Sequence, residues 1–309
     1  MTNDICVKSC NGRATSRKFS ESERPMALLV RGLAMRPRPA AAIRAARPVM
    51  GPPSGGSAAT WAAWAAYCGV VLFSEGGIAP GASALHTEPA TIKEALDLSL
   101  NFFFVLPTIA SSVAPVVDPS LEAFFNVLIC WALLFFGFAA DEKENSYPGG
   151  MLPYLTGALF LTNVFYLPML ALRSPRSDVE LREATAAPLT PLQRLAESRV
   201  LAGVIGVAVP LLALAWFGFA RPEMLSTGFE ARWDALVNLI STDRLAFSFA
   251  ADYLIFALFQ GALVNADAER RGVDSSNAGV AAARFVPFAG LVAWLLTRPA
   301  LEAGASDEQ

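Results

Sequence analysis

The chain of 309 residues is 54% hydrophobic and only 17% charged, against about 25% charged for an ordinary soluble domain. Its charges gather between long apolar runs, as a bundle of membrane helices requires, and a net charge of -3 argues against a nucleic-acid partner. Cys6, Cys10, Cys68 and Cys130 form no CxxC pair and His86 is the one histidine, so neither a zinc site, a disulfide framework nor a Cys/His nucleophile pair has a basis.

Residues 1–57 hold ten Lys or Arg, and no acid occurs from Pro25 to Ser74. Basic, alanine-rich and acid-free is the composition of an organelle transit segment; the plainer alternative is a disordered basic tail. Met26 opens a stretch, MALLVRGLAMRPRP, that reads as a presequence by itself. Residues 58–85 begin with the apolar run Ala58 to Phe73, which carries Trp61 and Trp64, and end near Gly81-Ala82-Ser83-Ala84. This is either a cleaved hydrophobic signal or a first transmembrane helix with an interfacial Trp pair. The span count is accordingly six or seven.

Residues 90–299 predict the bundle itself. Leu98 to Val117 and Ala123 to Ala140 are expected to form a helical hairpin, because Asp118-Pro119 makes a tight turn between them. Asp141 to Tyr147 is a short polar loop, Gly149 to Leu172 the next span, and 173–199 a polar linker rich in Arg and Pro. Val200 to Ala220 follows, kinked at Pro210, then Leu245 to Val264. Phe285 to Thr297 closes the bundle, and spans only with Ala278 to Ala283 if Arg284 is snorkelled or paired. In Phe229 to Ile240, Phe229, Trp233, Leu236 and Ile240 recur at helical spacing, which predicts an amphipathic helix in the interface. Residues 300–309 read as a disordered tail. The fold class is all-α, a polytopic transmembrane helix bundle of six or seven spans with one interfacial amphipathic helix.

Leu245 to Val264 carries one charged residue, Asp252, at a depth where a carboxylate must be paired, hydrated or neutral. Ser248, Asp252, Phe256 and Phe259 share a face, with Gln260 at its edge. Asp252 with Ser248, Gln260, Arg284 and Asn163 is the candidate polar site, serving a ligand, a proton or helix association. An Asp252–Arg284 pair would neutralise both charges. Asn163 and Tyr166 share a face, as do Glu122 and Asn126. No GxGxxG, GxxxxGK[ST], HExxH or GxSxG motif stands in a suitable context, so no catalytic residue and no metal site is assigned. The Phe clusters at 102–104, 124–125, 135–138 and 285–288 pack the bundle, face lipid, or line a slot for chlorophyll, carotenoid or lipid.

Four segments carry a resemblance: Glu94–Phe104 (EALDLSLNFFF), Gly149–Leu172 with its FLTNVFYLP core, Asp252–Gly272 (DYLIFALFQGALVNADAERRG) and Phe285–Pro299 (FVPFAGLVAWLLTRP). Over residues 90 to 299 the chain resembles uncharacterised multi-pass membrane proteins of cyanobacteria and plastids. A weaker similarity is to small plastid membrane proteins of the neoxanthin synthase group. The resemblance implies a plastid membrane, thylakoid or envelope, and brings no activity. The leading expectation is a non-enzymatic integral protein that binds pigment or lipid, or assists assembly of a photosynthetic membrane complex. The alternatives are a membrane enzyme acting on a carotenoid or other isoprenoid, and a secondary transporter that uses Asp252.

Overall fold

A long apolar segment has no better way to satisfy its backbone than to bond to itself, and the computed structural model of the chain shows that outcome. It describes residues 54–224 and 228–301. The expected transit segment up to residue 53 and the expected tail beyond 301 lie outside them. Helix α1, Ser54–Tyr67, runs on as a wider π-turn over Cys68–Phe73. It is followed by α2, Pro89–Leu100, and the short α3, Val105–Ile109. Next come α4, Pro119–Leu134, tightening into a 3-10 stretch over Phe135–Lys143, and α5, Leu152–Leu172. The polar linker holds α6, Asp178–Ala186, and α7, Pro191–Glu197, each begun by a reciprocal cap, Ser177 with Glu180 and Thr190 with Gln193. Then follow α8, Arg199–Gly203, a π-turn over Val204–Ala208, and α9, Val209–Phe219. The chain continues as α10, Phe229–Thr242, α11, Arg244–Arg270, α12, Ala278–Phe285, and α13, Ala289–Thr297.

Among the described residues four helices are long and apolar enough to cross a membrane: Pro119–Lys143, Leu152–Leu172, Arg199–Phe219 and Arg244–Arg270. They coincide with four of the expected spans. The first is 83% buried over its apolar window and the third 22%, so α4 is the axis of the packing and α8–α9 lies at its margin. Trp131, Phe135, Tyr166, Phe256, Leu291 and Trp294 meet in the core around α4.

Two expected spans are broken instead. Leu98 to Val117 divides at Phe103 and Phe104, which have φ of 55° and 58°, so no continuous hairpin partner for α4 forms there. The break persists because side chains of α4 take over the backbone groups it opens. Asn126 Oδ1 accepts from the Phe103 N–H at 2.6 Å, and Asn101 donates to the buried Glu122 at 2.7 Å and to the Pro115 carbonyl at 3.0 Å. Ala278 to Thr297 is likewise two short helices, α12 and α13, hinged at Phe288 with φ 55°. At that hinge α13 folds tightly on α12. A Cβ on Gly290 would stand 2.7 Å from the Ala282 carbonyl oxygen, so only glycine fits.

The helix expected over Phe229 to Ile240 forms as α10, with a different inner face. Leu236 is buried, Phe229 and Trp233 are exposed, and the charged Arg232 is fully buried. The Arg232 guanidinium donates to the carbonyls of Phe217 at 2.9 Å and Ala220 at 2.5 Å. It thereby closes the C-terminus of α9, where a cation is favoured by the helix dipole.

Candidate functional site

The site is built where α5 stops being a helix. Leu161 (φ -132°, ψ 46°) and Thr162 (φ 12°, ψ -100°) leave helical geometry in mid-span. The Phe165 ring folds back over Gly157, where a Cβ would lie 2.5 Å from it. Eight residues of unbroken helix rise about 12 Å, too far for that contact. Below the break, Pro168 has no N–H to give the Val164 carbonyl. Trp64 Nε1 of α1 takes that carbonyl at 3.1 Å, and Ser57 Oγ takes the Ala171 carbonyl at 3.0 Å. Helix α1 therefore runs antiparallel along α5, and its Tyr67 hydroxyl reaches Thr162 Oγ1 at 3.3 Å.

Helix α11 turns Phe249, Asp252, Phe256, Gln260 and Leu263 inward, the three-and-four spacing of one helical face. Asp252 is 2% exposed. Asn163 Nδ2 donates to its Oδ1 at 2.7 Å. The Thr162 and Tyr67 hydroxyls, 3.3 Å from each other, and the Asn163 backbone lie close to the carboxylate. Asp252 thus sits at the N-terminus of the second half of α5, in the position of a cap supplied by another helix. Among the described residues it has no ion pair.

Other sequence candidates do different work. Ser248 Oγ donates to the Leu245 carbonyl of its own helix at 2.8 Å and adds nothing to Asp252. Gln260 holds the α12–α13 hinge: its Nε2 donates to the carbonyls of Ala283 and Val286 at 2.8 and 3.0 Å, and its Oε1 accepts from the Phe288 N–H at 3.1 Å. Arg284 makes no pair with Asp252, correcting that expectation. Its guanidinium lies over the Phe285 ring, 5.3 Å from the centroid. Its backbone packs against α11 at Gly261, where a Cβ would stand 3.2 Å from the Arg284 carbonyl oxygen, about 13 Å along the helix from Asp252. Around Asp252, Tyr166 stacks on Phe135 at 4.5 Å and meets Phe256 edge-on at 5.3 Å. Asn163 Oδ1, the Tyr166 hydroxyl and Trp131 Nε1 are buried without hydrogen-bond partners among the described residues.

Two further polar centres lie away from Asp252, and of these the sequence pointed only to Glu122, on one face with Asn126. One is an ionic cluster at the far end of α11. Asp267 receives Arg271 and Arg298, each at 2.9 Å, Arg270 at 3.0 Å and Trp294 Nε1 at 2.8 Å. Arg270 also pairs with Asp141, which Arg173 grips at 2.6 and 2.8 Å. Glu197 closes the cluster against Arg271 at 2.6 Å; burial would raise its carboxyl, yet Arg271 and Arg298 hold it below its ordinary range. Four carboxylates, counting Glu144 beside Arg270 at 3.5 Å, face four guanidinium groups. The other is Glu122, wholly buried, which accepts from Trp216 Nε1 at 2.7 Å and pairs with Arg221 at 3.3 Å.

At the near end of α11, Glu94, Asp97, Asp118 and Asp243 line a concavity of about 510 Å³. Burial and the carboxylates of Asp243, Asp118 and Asp97 push Glu94 up to about 7. A second concavity of about 380 Å³ lies by Gly77–Pro80 and Ile240; neither is lined by Asp252. Chemically, the Asp252 centre is a buried carboxyl group with oxygen-bearing neighbours at a helix break, suited to holding a proton or a cation. Comparisons of the chain with family models, with curated proteins and with solved structures find no match.

Proposed function

We propose that the chain is an integral, multi-pass membrane protein of a plastid membrane that works as a secondary carrier, with Asp252 as its charge-bearing residue. One observation carries the reading. A buried carboxylate with no cationic partner among the described residues faces a membrane-length helix broken in its middle. Broken helices at mid-span are where carriers hold substrates and coupling ions, and intramembrane carboxylates mark ion and proton pathways. The plastid assignment rests on the acid-free basic tail and on the resemblance given above. The exposed Phe229 and Trp233 of α10 suit a helix lying at the bilayer surface.

The test is charge movement in proteoliposomes on a solid-supported membrane, after jumps of H⁺, Na⁺ or K⁺. Wild type is expected to give a transient current that Asp252→Asn lacks at equal protein density. Silence with all three cations sinks the carrier reading.

A second reading, binding of pigment or lipid or support of photosynthetic-complex assembly, is favoured by the outer face. Phe160, Leu161, Leu211, Leu254, Leu258 and Phe285 all stand exposed on the apolar helices, a surface for acyl chains or for another membrane protein. A null mutant that loses one pigment–protein complex while ion fluxes stay normal would select it.

A further inference from the structure

We propose that the break in α5 and Asp252 together form a binding site for one monovalent metal cation, probed here by Na⁺. The inference deepens the carrier reading by naming the coupling ion. Charge comes first. Asp252 is the only acid of the centre and has no cationic partner among the described residues, so one positive charge makes the site neutral. A divalent ion would leave a net charge where low dielectric makes it costly.

The donor set points the same way. Asp252, Thr162 Oγ1 and the Tyr67 hydroxyl offer oxygen, the preference of hard cations; Asn163 gives its Nδ2 to Asp252 in this structure and carries its Oδ1 on the same amide. Asn163 is fully buried and its Oδ1 has no partner. That oxygen belongs to the amide whose nitrogen bonds Asp252 at 2.7 Å, so both oxygens come within reach of one ion. A proton on Asp252 makes a single hydrogen bond and leaves the centre's other oxygens to one another. The backbone adds to the case. Where α5 breaks at Leu161–Thr162, the last carbonyls of its first half lose their helical partners, and such carbonyls are the usual companions of a carboxylate in intramembrane cation sites. Tyr67 makes the site depend on α1 as well as on α5 and α11.

The experiment is equilibrium binding of ²²Na⁺ to the full-length protein purified in detergent, with melting recorded in sodium and in choline chloride. Wild type is expected to bind ²²Na⁺ saturably and to melt higher in sodium. Asp252→Asn and Thr162→Val should weaken binding at least tenfold, with monodispersity checked by size exclusion. The melting comparison needs no variant, so a misfolded mutant does not spoil the test. Absent saturable binding together with identical melting in the two salts overturns the site. If a proton jump still moves charge in that case, the carrier reading survives and only the cation is wrong. Sodium binding without charge movement keeps the site and removes the carrier.

Discussion

Trp64 Nε1 donates to the Val164 carbonyl at 3.1 Å, the one carbonyl that Pro168 leaves without a helical partner. A defect in α5 is thereby made the docking point of α1, which brings Tyr67 to the polar centre. Trp64→Phe keeps the ring and removes the donor. It should cost about 1 kcal/mol, read as a lower melting temperature in detergent. Adding Pro168→Ala should recover part of the loss, because the restored N–H can bond the same carbonyl. Additive losses in the double variant would refute this account.

At Asp252, shape and charge separate. Asp252→Asn keeps both polar atoms, and Asn163 can rotate its amide to accept rather than donate. Asp252→Leu strands Asn163, Thr162 and Tyr67 in the interior, and should be less stable than the Asn variant by about 1–3 kcal/mol. Equal stability of the two in denaturation would show that these groups do not depend on the carboxylate.

The eight-membered ionic cluster is expected to fail by halves. Arg298 touches Asp267, Glu197 and the carbonyls of Gly137 and Ala196. Arg298→Met leaves buried negative charge in excess and should cost about 3–5 kcal/mol. Asp267→Asn with Arg298→Met removes one charge of each sign and should be milder than the sum of the singles. A double-variant cycle that proves additive would dissolve the cluster as a unit.

Gly290→Ala tests the hinge. The added methyl meets backbone, not a flexible side chain, at 2.7 Å, so α13 must move off α12 at a cost of about 1–3 kcal/mol. Gly203→Ala, at a position with open space, should leave the melting temperature unchanged.

Glu94 sets a pH dependence outside the spans. Its carboxyl rises from 4.5 to about 7 on folding. Between those values the folded chain binds more protons than the unfolded one, so stability falls as pH rises. Glu94→Gln should raise the melting temperature at pH 8, leave it unchanged at pH 4, and flatten the slope between. A wild-type profile level from pH 5 to 8 would contradict the burial of Glu94 among Asp97, Asp118 and Asp243.

Long apolar runs determined the four membrane-length helices, because segment hydropathy and backbone self-satisfaction are local properties. The inward face was legible in part: of the expected Ser248, Asp252, Phe256 and Phe259, with Gln260 at the edge, the structure buries Asp252, Phe256 and Gln260, and puts Phe249 in place of Ser248. What the sequence misjudged was continuity. Leu98 to Val117 is apolar enough to span, yet it breaks because Asn101 and Asn126, together with Glu122 more than twenty residues on from Asn101, offer its backbone better partners. Asp252 takes Asn163, another of the candidate residues, at 2.7 Å, and the pair with Arg284 does not form among the described residues because Arg284 lies beside Gly261, about 13 Å along α11 from Asp252. The ionic cluster draws on 141, 144, 173, 197, 267, 270, 271 and 298; helical spacing relates 267 to 270 and 271, but no local pattern joins these to 141, 173, 197 and 298. Hydropathy is summed along the chain, whereas the pairing of buried charges and orphaned backbone groups is settled across it, and that is where the site resides.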